Sequence, residues 1–415
     1  MRKLKNQISP LSKSLSWKQQ SFKLFPINGH TAVNIAIITG HFPPSKGGGI
    51  AEWAFGVARE LPRLGHKTSV YVTHRKNRDL SIHNDEEFIC KPMYGRNWHE
   101  FHRFYAAYYM WKILRKDPDT IFIATTWGMA KPFKFLKKYF PKSKMIVVAH
   151  GLEITRLNSK RELRAIRSVV ESCDLILSVS RFTRDEIINR LSDINTTHVK
   201  FLPNGVDVER FYPCEVDDLF YKKYSLHQDS DLILTLARII KRKAHDDVIK
   251  ALPDIINDFP KAHYVIAGPH RKKDSYLESL KILVKELSLE NNVTFIDFIP
   301  DEDLKKIYSA SKVYIMPSKT LHNEGDSEGF GITFLEANAC GCPAIGSYDG
   351  GIPDAVENEV NGLLVQSGSS NEIAKAIKKM FSDEDYRLSL AKKGIARVEE
   401  SFTWKKLSAQ MIDML

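Results

Sequence analysis

Residues 328–354 constrain this chain more than any other stretch. They read Glu328-Gly-Phe-Gly-Ile-Thr-Phe-Leu-Glu336, run on through Ala337-Asn-Ala-Cys-Gly341 and reach Gly350-Gly-Ile-Pro-Asp354. A strand-like run, Val313-Tyr-Ile-Met-Pro317, comes just before. Ile332, Leu335 and Ala339 share one face of a 3.6-residue period, which predicts a helix from near Gly331 that stops at Gly341. The N-terminus of such a helix leaves backbone N–H groups unpaired and carries the positive end of the dipole. Gly331 lets an anion approach that backbone. Two carboxylates flank the same point, Glu328 before the helix and Glu336 over a turn inside it. Carboxylates repel an anion unless they are there to accept hydrogen bonds from hydroxyls. The stretch therefore predicts a ligand that is both anionic and polyhydroxylated: a nucleotide sugar.

The rest of the chain alternates. Val33-Asn-Ile-Ala-Ile-Ile-Thr39 reads as a buried parallel strand, followed by a loop with Gly47, Gly48 and Gly49 and a helix from Ala51 to about Arg63. Further strands are predicted at 68–73, 120–125, 145–149 and 175–180. A second set falls at 232–238, 264–268, 292–298, 313–317, 343–347 and 363–367, with helices between. Strands spaced by helices imply parallel sheets covered on both faces. The fold class is thus α/β with two such domains, at 32–205 and 206–395, after a basic segment 1–31 and before a C-terminal helix 396–415. Two cations, Arg238 and Lys243, stand five apart where a strand ends, and can neutralise a leaving diphosphate without a metal. His150 follows strand 145–149, at the carboxyl end where open α/β sheets bind ligands.

Glu328, seven residues and Glu336, with a glycine–aromatic–glycine step between, resemble the donor-site motif of retaining glycosyltransferases with two facing Rossmann-like domains, the GT-B fold. More narrowly they resemble the family-four group, and within it bacterial GDP-mannose-dependent α-mannosyltransferases of the phosphatidylinositol mannosyltransferase type. Phe42-Pro-Pro with the Gly48–Gly49 pair, Pro203-Asn-Gly-Val-Asp207, Gly350-Gly-Ile-Pro and the closing Phe402-Thr-Trp404 match the same pattern. The resemblance implies hexose transfer from a nucleoside diphosphate sugar to a hydroxyl with the anomeric configuration kept. It implies that Arg238 and Lys243 hold the diphosphate, Glu328 the transferred sugar and Glu336 the ribose. His150 would lie near the reactive carbon, and the Gly48–Gly49 loop, Phe330, Gly331 and Ile332 would line the donor. The family usually has glycine after the lysine; here it is Ala244. The Gly-Asp-Ser-Glu-Gly-Phe-Gly run at 325–331 leans towards GDP-mannose, with a UDP-sugar as the alternative within the family.

Composition bounds the rest. No apolar run approaches the ~20 residues of a membrane-spanning helix, and the N-terminus lacks the apolar stretch of a signal peptide. Five scattered cysteines read as reduced, which fits a cytosolic protein. No metal is expected: Asp-x-Asp occurs at 117–119, 229–231, 301–303 and 383–385, never after the end of a predicted strand. The net charge of +11 is concentrated in the first domain, where 97–116 and 131–144 also carry many aromatics. That mixture suggests a glycan or lipid-linked acceptor and peripheral contact with an anionic inner membrane face, rather than nucleic acid. A sugar-nucleotide epimerase or phosphorylase on the same fold is a competing reading, and so is a basic binding protein without catalysis.

Overall fold

The computed structural model describes residues 32–44, 48–73, 80–84, 86–93, 102–156, 159–270 and 275–415. The basic segment 1–31 and the aromatic residues Trp98 and Phe101 lie outside the described residues. Seven parallel strands make the first sheet: β1 (Asn34–Thr39), β2 (Lys67–Thr73), β3 (Ile89–Met93), β4 (Ile121–Ala124), β5 (Met145–Ala149), β6 (Leu175–Ser178) and β7 (Val199–Phe201). Their order is β3-β2-β1-β4-β5-β6-β7. Six more make the second: β8 (Asp231–Leu236), β9 (Ala262–Ala267), β10 (Val293–Ile296), β11 (Val313–Ile315), β12 (Ala344–Ser347) and β13 (Gly362–Val365), ordered β10-β9-β8-β11-β12-β13.

Both sheets are buried on both faces because their central strands are continuous apolar runs. Every residue of β5 and of β9 is buried. In each sheet the chain first builds to one side of the opening strand and then crosses to the other. The reversal falls between β1 and β4 in the first sheet and between β8 and β11 in the second. Such a reversal opens a crevice at the carboxyl ends of the two strands, because their following segments diverge. The loops that leave those four ends carry Gly48–Gly49, Thr125–Trp127, Arg238–Lys243 and the run up to Glu328.

Two strands escape the sequence reading. β3, Ile89-Cys-Lys-Pro-Met93, sits at the sheet edge, where Lys91 and Pro92 are tolerated and the apolar signal is weak. β7 is three residues long and, among the described residues, pairs only with β6. The helix Glu384–Ser401 also goes unread, since few of its side chains are buried (Leu390, Ala391 and Val398, with Gly394).

The last helix, Trp404–Asp413, packs on the helix Gly49–Arg63 of the first domain. Trp404 fills the space left by two glycines: a Cβ on Gly56 would sit 2.4 Å from its ring and one on Gly205 2.7 Å. Val206 N–H donates to the Phe402 carbonyl at 2.8 Å beside it.

Candidate active site

The second domain builds most of the site. After β8 the chain makes a single 3-10 turn, Lys241–Lys243, which Ala244 ends in the left-handed region at φ 56°. An L-residue there costs about 1 kcal/mol, which explains why glycine is the commoner choice after the lysine. The turn swings Arg242 and Lys243 inward, both buried. Lys243 Nζ and Arg242 Nη1 both donate to the same oxygen of Glu328, Oε2. Lys243 Nζ also lies 3.0 Å from Met316 Sδ, at the end of β11. Among the described residues, Glu328 Oε1 receives no hydrogen bond.

Charge follows from this packing. Burial alone would raise the Glu328 carboxyl, but Lys243 and Arg242 outweigh it and hold it at about 2. Burial pushes the Lys243 ammonium down to about 8, against the pull of Glu328. Arg238 differs from both. It is exposed and has no acidic partner among the described residues. It is close enough to Lys243 for its charge to help push that ammonium down. A fixed cation left without a counterion, beside a buried ammonium, is a site for an anion from solution.

The helix Ile332–Ala339 begins where the sequence predicts. Gly331 caps it at φ 89°, and a Cβ there would meet the Phe334 ring at 2.7 Å. Ile332 heads the helix and faces the first domain, where a Cβ on Gly49 would lie 3.5 Å from its Cδ1. Gly48 precedes Gly49 at φ 145° and, its chain neighbours aside, no described residue lies within 4 Å of a Cβ placed on it. Phe330 is buried, with its ring 6.3 Å from that of Phe402, so it anchors the loop in the core instead of lining the crevice. Glu336 is also buried and accepts a hydrogen bond from Tyr308 Oη at 2.7 Å. Burial raises its carboxyl to about 7, and Glu52 across the crevice adds to the rise. Arg210 offsets part of this from between Glu52 (3.3 Å) and Asp301 (2.9 Å).

The first domain closes directly on this apparatus. A Cβ on Gly329 would sit 2.1 Å from the His150 carbonyl oxygen, and one on Gly351 2.7 Å from Ser180 Cβ. Gly351 N–H donates to the Glu328 carbonyl at 2.8 Å. The His150 ring is packed edge-on against Trp53 at 6.5 Å. Burial lowers His150 to about 4, while its hydrogen bond to the Thr125 backbone works the other way. Its Nε2 is shut off from solvent and has no hydrogen-bond partner among the described residues. Arg181 and Asp354 tie the domains further along: the Arg181 N–H donates to Asp354 Oδ2 at 2.6 Å and the guanidinium to Oδ1.

The structure thus brings Lys243, Glu328, His150 and the Gly331–Ile332 helix start to the contact between the two domains, with Arg238 near Lys243 and Glu336 buried against Tyr308. Sequence reading overlooked Arg242, Asp326 and Arg210. Arg242 lies in the same Lys-Arg-Lys run as Lys243, but only the turn reveals which of these side chains point inward. Among the described residues, no three His, Cys, Asp or Glu side chains cluster as metal ligands.

The comparisons with known proteins agree with this geometry. Residues 47–210 match the model of Glycosyltransferase Family 4, and 217–397 that of Glycosyl transferases group 1. The chain is 26% identical to a GDP-mannose-dependent alpha-(1-6)-phosphatidylinositol monomannoside mannosyltransferase of Mycobacterium tuberculosis, over 92% of this chain and 97% of that one. It is 28% identical to a monoacylated-substrate counterpart from Corynebacterium glutamicum, over 75% and 80%. A sucrose-phosphate synthase from Thermosynechococcus elongatus shares the fold with a TM-score of 0.74 at 22% identity, over 92% of this chain and 98% of that one. Matched in both domains and in this order, the chain belongs to the family-four glycosyltransferases of the GT-B fold.

Proposed function

We propose that the chain transfers a mannosyl group from GDP-mannose to a hydroxyl of a glycan or lipid-linked acceptor, keeping the anomeric configuration and using no metal. One observation carries the reading: Arg238, exposed and without an acidic partner among the described residues, lies close enough to Lys243 to depress its ammonium, and Lys243 in turn donates to Glu328 Oε2. Arg238, Lys243 and the N–H groups at Ile332 grip the diphosphate; Glu328 Oε1 accepts from hydroxyls of the transferred sugar; Glu336 accepts from the ribose. The Gly48–Gly49 loop closes over the diphosphate from the other side. The C1–O bond to the diphosphate breaks as an acceptor oxygen bonds to C1 on the same face. The acceptor's proton passes to the departing phosphate oxygen, giving a glycoside and a nucleoside diphosphate. The cations supply the charge stabilisation that a metal would otherwise provide. His150 Nε2, buried and without a partner among the described residues, would meet a hydroxyl of the sugar. The relatives named as GDP-mannose-dependent support this donor.

The test is incubation with GDP-mannose, UDP-glucose and ADP-glucose, with and without a lipid-extract acceptor, and NMR assignment of the product anomer. Acceptor-dependent release of GDP with an α-linked product is expected. Turnover without acceptor to an epimer, or an inverted product, overturns the reading.

The acceptor is read as lying at an anionic inner membrane surface. Among the described residues, no helix is long and apolar enough to cross a membrane. The helices His102–Leu114 and Phe133–Tyr139 nevertheless turn aromatics outward, with Tyr108 61%, Phe135 53% and Tyr139 52% exposed. Trp111 stacks on Phe135 at 5.8 Å between them. Lys112, Lys131, Lys134, Lys138 and Lys142 are exposed around these rings. Aromatic rings ringed by lysine suit the headgroup layer of an anionic bilayer. Sedimentation with phosphatidylglycerol vesicles, but not with phosphatidylcholine vesicles, is expected. Binding to neither contradicts it.

A further inference from the structure

A short loop of the second domain links the first domain to Glu328. Leu321 and Asp326 pair across its base, with Leu321 N–H donating to the Asp326 carbonyl at 2.8 Å. Gly325, at φ 59°, presses so close to the first domain that a Cβ would sit 2.3 Å from the Thr155 carbonyl oxygen. Asp326 is thereby held between two cations. Its Oδ2 lies 2.5 Å from Arg156 Nη2, in the first domain, and its Oδ1 lies 2.9 Å from Arg242 Nε. Arg242, 4% exposed in its side chain, reaches on to Glu328 Oε2, which Lys243 shares. The charges alternate in a line: Arg156, Asp326, Arg242, Glu328, Lys243.

We propose that Asp326 and Arg242 are positioning residues for Glu328, and that Arg156 makes their arrangement depend on closure of the two domains. Arg156 lies six residues beyond His150, on the same loop and helix, so the two move together. When the first domain brings His150 to the sugar it brings Arg156 to Asp326. Asp326 then holds the guanidinium of Arg242 by charge, its Oδ1 2.9 Å from Nε but out of line for a hydrogen bond. With Arg242 and Lys243 both on Oε2, the Glu328 carboxylate is left with Oε1 as its single acceptor for sugar hydroxyls. When the domains separate, Asp326 loses one of its two cations and Arg242 is held from one side less firmly. A donor bound in the open form therefore meets a less ordered Glu328, which ties the sugar contact to the closed state. The proposal rests on the reading of Glu328 as the acceptor of sugar hydroxyls.

The experiment uses the full chain with Arg156→Ala, Asp326→Asn, the double variant and Arg156→Lys, at saturating acceptor. It measures kcat and KM for the nucleotide sugar, and the Kd of the free nucleoside diphosphate. Each single variant is expected to lower kcat about tenfold or more. The free nucleotide should bind within about twofold of wild type, since Arg238 and Lys243 hold the diphosphate. The double variant should be no slower than the worse single one, and Arg156→Lys should recover part of the rate. Losses that multiply in the double variant, or nucleotide affinity that falls in step with kcat, overturn the proposal. Should Asp326→Asn fail to fold, Arg156→Ala, at a half-exposed position, carries the test alone: unchanged kcat refutes the coupling. Glu328→Gln separates the two levels. If it leaves transfer intact, the reading of Glu328 fails. If it abolishes transfer while Arg156→Ala and Asp326→Asn do not slow it, only the coupling fails.

Discussion

Gly329 and His150 meet backbone to backbone across the two domains, with room for a hydrogen but not for a methyl group. A Cβ at Gly329 would lie 2.1 Å from the His150 carbonyl oxygen. This contact lies between the carboxylate proposed to hold the sugar and the histidine proposed to face it. The domains can meet this closely because Gly329, like Gly325 against Thr155, has no side chain.

Gly329→Ala is therefore expected to hold the domains apart. Transfer should fall about a hundredfold, in line with the cost of a small misplacement at a reacting centre. Binding of the free nucleotide, which needs the second domain, should survive. Steady-state kinetics beside calorimetric titration with GDP checks this; full activity would mean that closure is not required.

If Lys243 holds the diphosphate as proposed, its ammonium, lowered by burial to about 8, is expected to give the reaction an alkaline limb. The free enzyme loses this cation as pH rises through 8, and with it attraction for the diphosphate. The donor kcat/KM should fall towards tenfold per pH unit above that point. kcat should fall less, because bound diphosphate restores the proton. A pH–rate profile from 6.5 to 9.5 with saturating acceptor reads both.

Glu336 makes a stability prediction of a definite sign. Burial raises its folded-state carboxyl to about 7, from an ordinary value of 4.5. The folded protein therefore binds this proton more tightly than the unfolded chain. The stabilisation is fully present below 4.5 and lost as pH rises through 7. The ionised form costs up to about 3 kcal/mol at pH 8. Glu336→Gln keeps an acceptor for Tyr308 and carries no charge. Its melting temperature relative to wild type should rise between pH 5 and pH 8; a constant difference contradicts the assignment.

Trp404→Ala should destabilise the protein by about 3–5 kcal/mol, since Gly56 and Gly205 leave a hollow that only the indole fills. Thermal unfolding measures it. A loss under 1 kcal/mol would mean that the last helix does not brace the first domain.

Much of this was legible in the residues, for stated reasons. β1, β5, β8 and β9 are buried on both faces, so each is a run of apolar residues that no other element imitates at that length. Glu328, Glu336, Arg238 and Lys243 could be read because each sits at a fixed distance from a strand end or a glycine. Arg242 and Asp326 could not. Whether Arg242 turns inward depends on a single 3-10 turn closed by a left-handed Ala244, which no periodicity announces. Asp326 acquires its role from Arg156, 170 residues earlier in the chain. Phe330 shows the opposite failure: its place in the motif suggests the donor, while its packing belongs to Phe402. β3 was hidden by Lys91 and Pro92, which only an edge strand accommodates.

Melting curves with GDP, UDP and ADP check the proposed grip of Arg238 and Lys243 on a nucleoside diphosphate. A ligand at a hundred times its Kd that binds only the folded state adds about 2.7 kcal/mol. GDP is expected to raise the melting temperature of the wild-type chain most, and to leave Arg238→Met/Lys243→Met unmoved. A wild-type chain indifferent to all three nucleotides, or a double variant that still responds to GDP, would contradict the account.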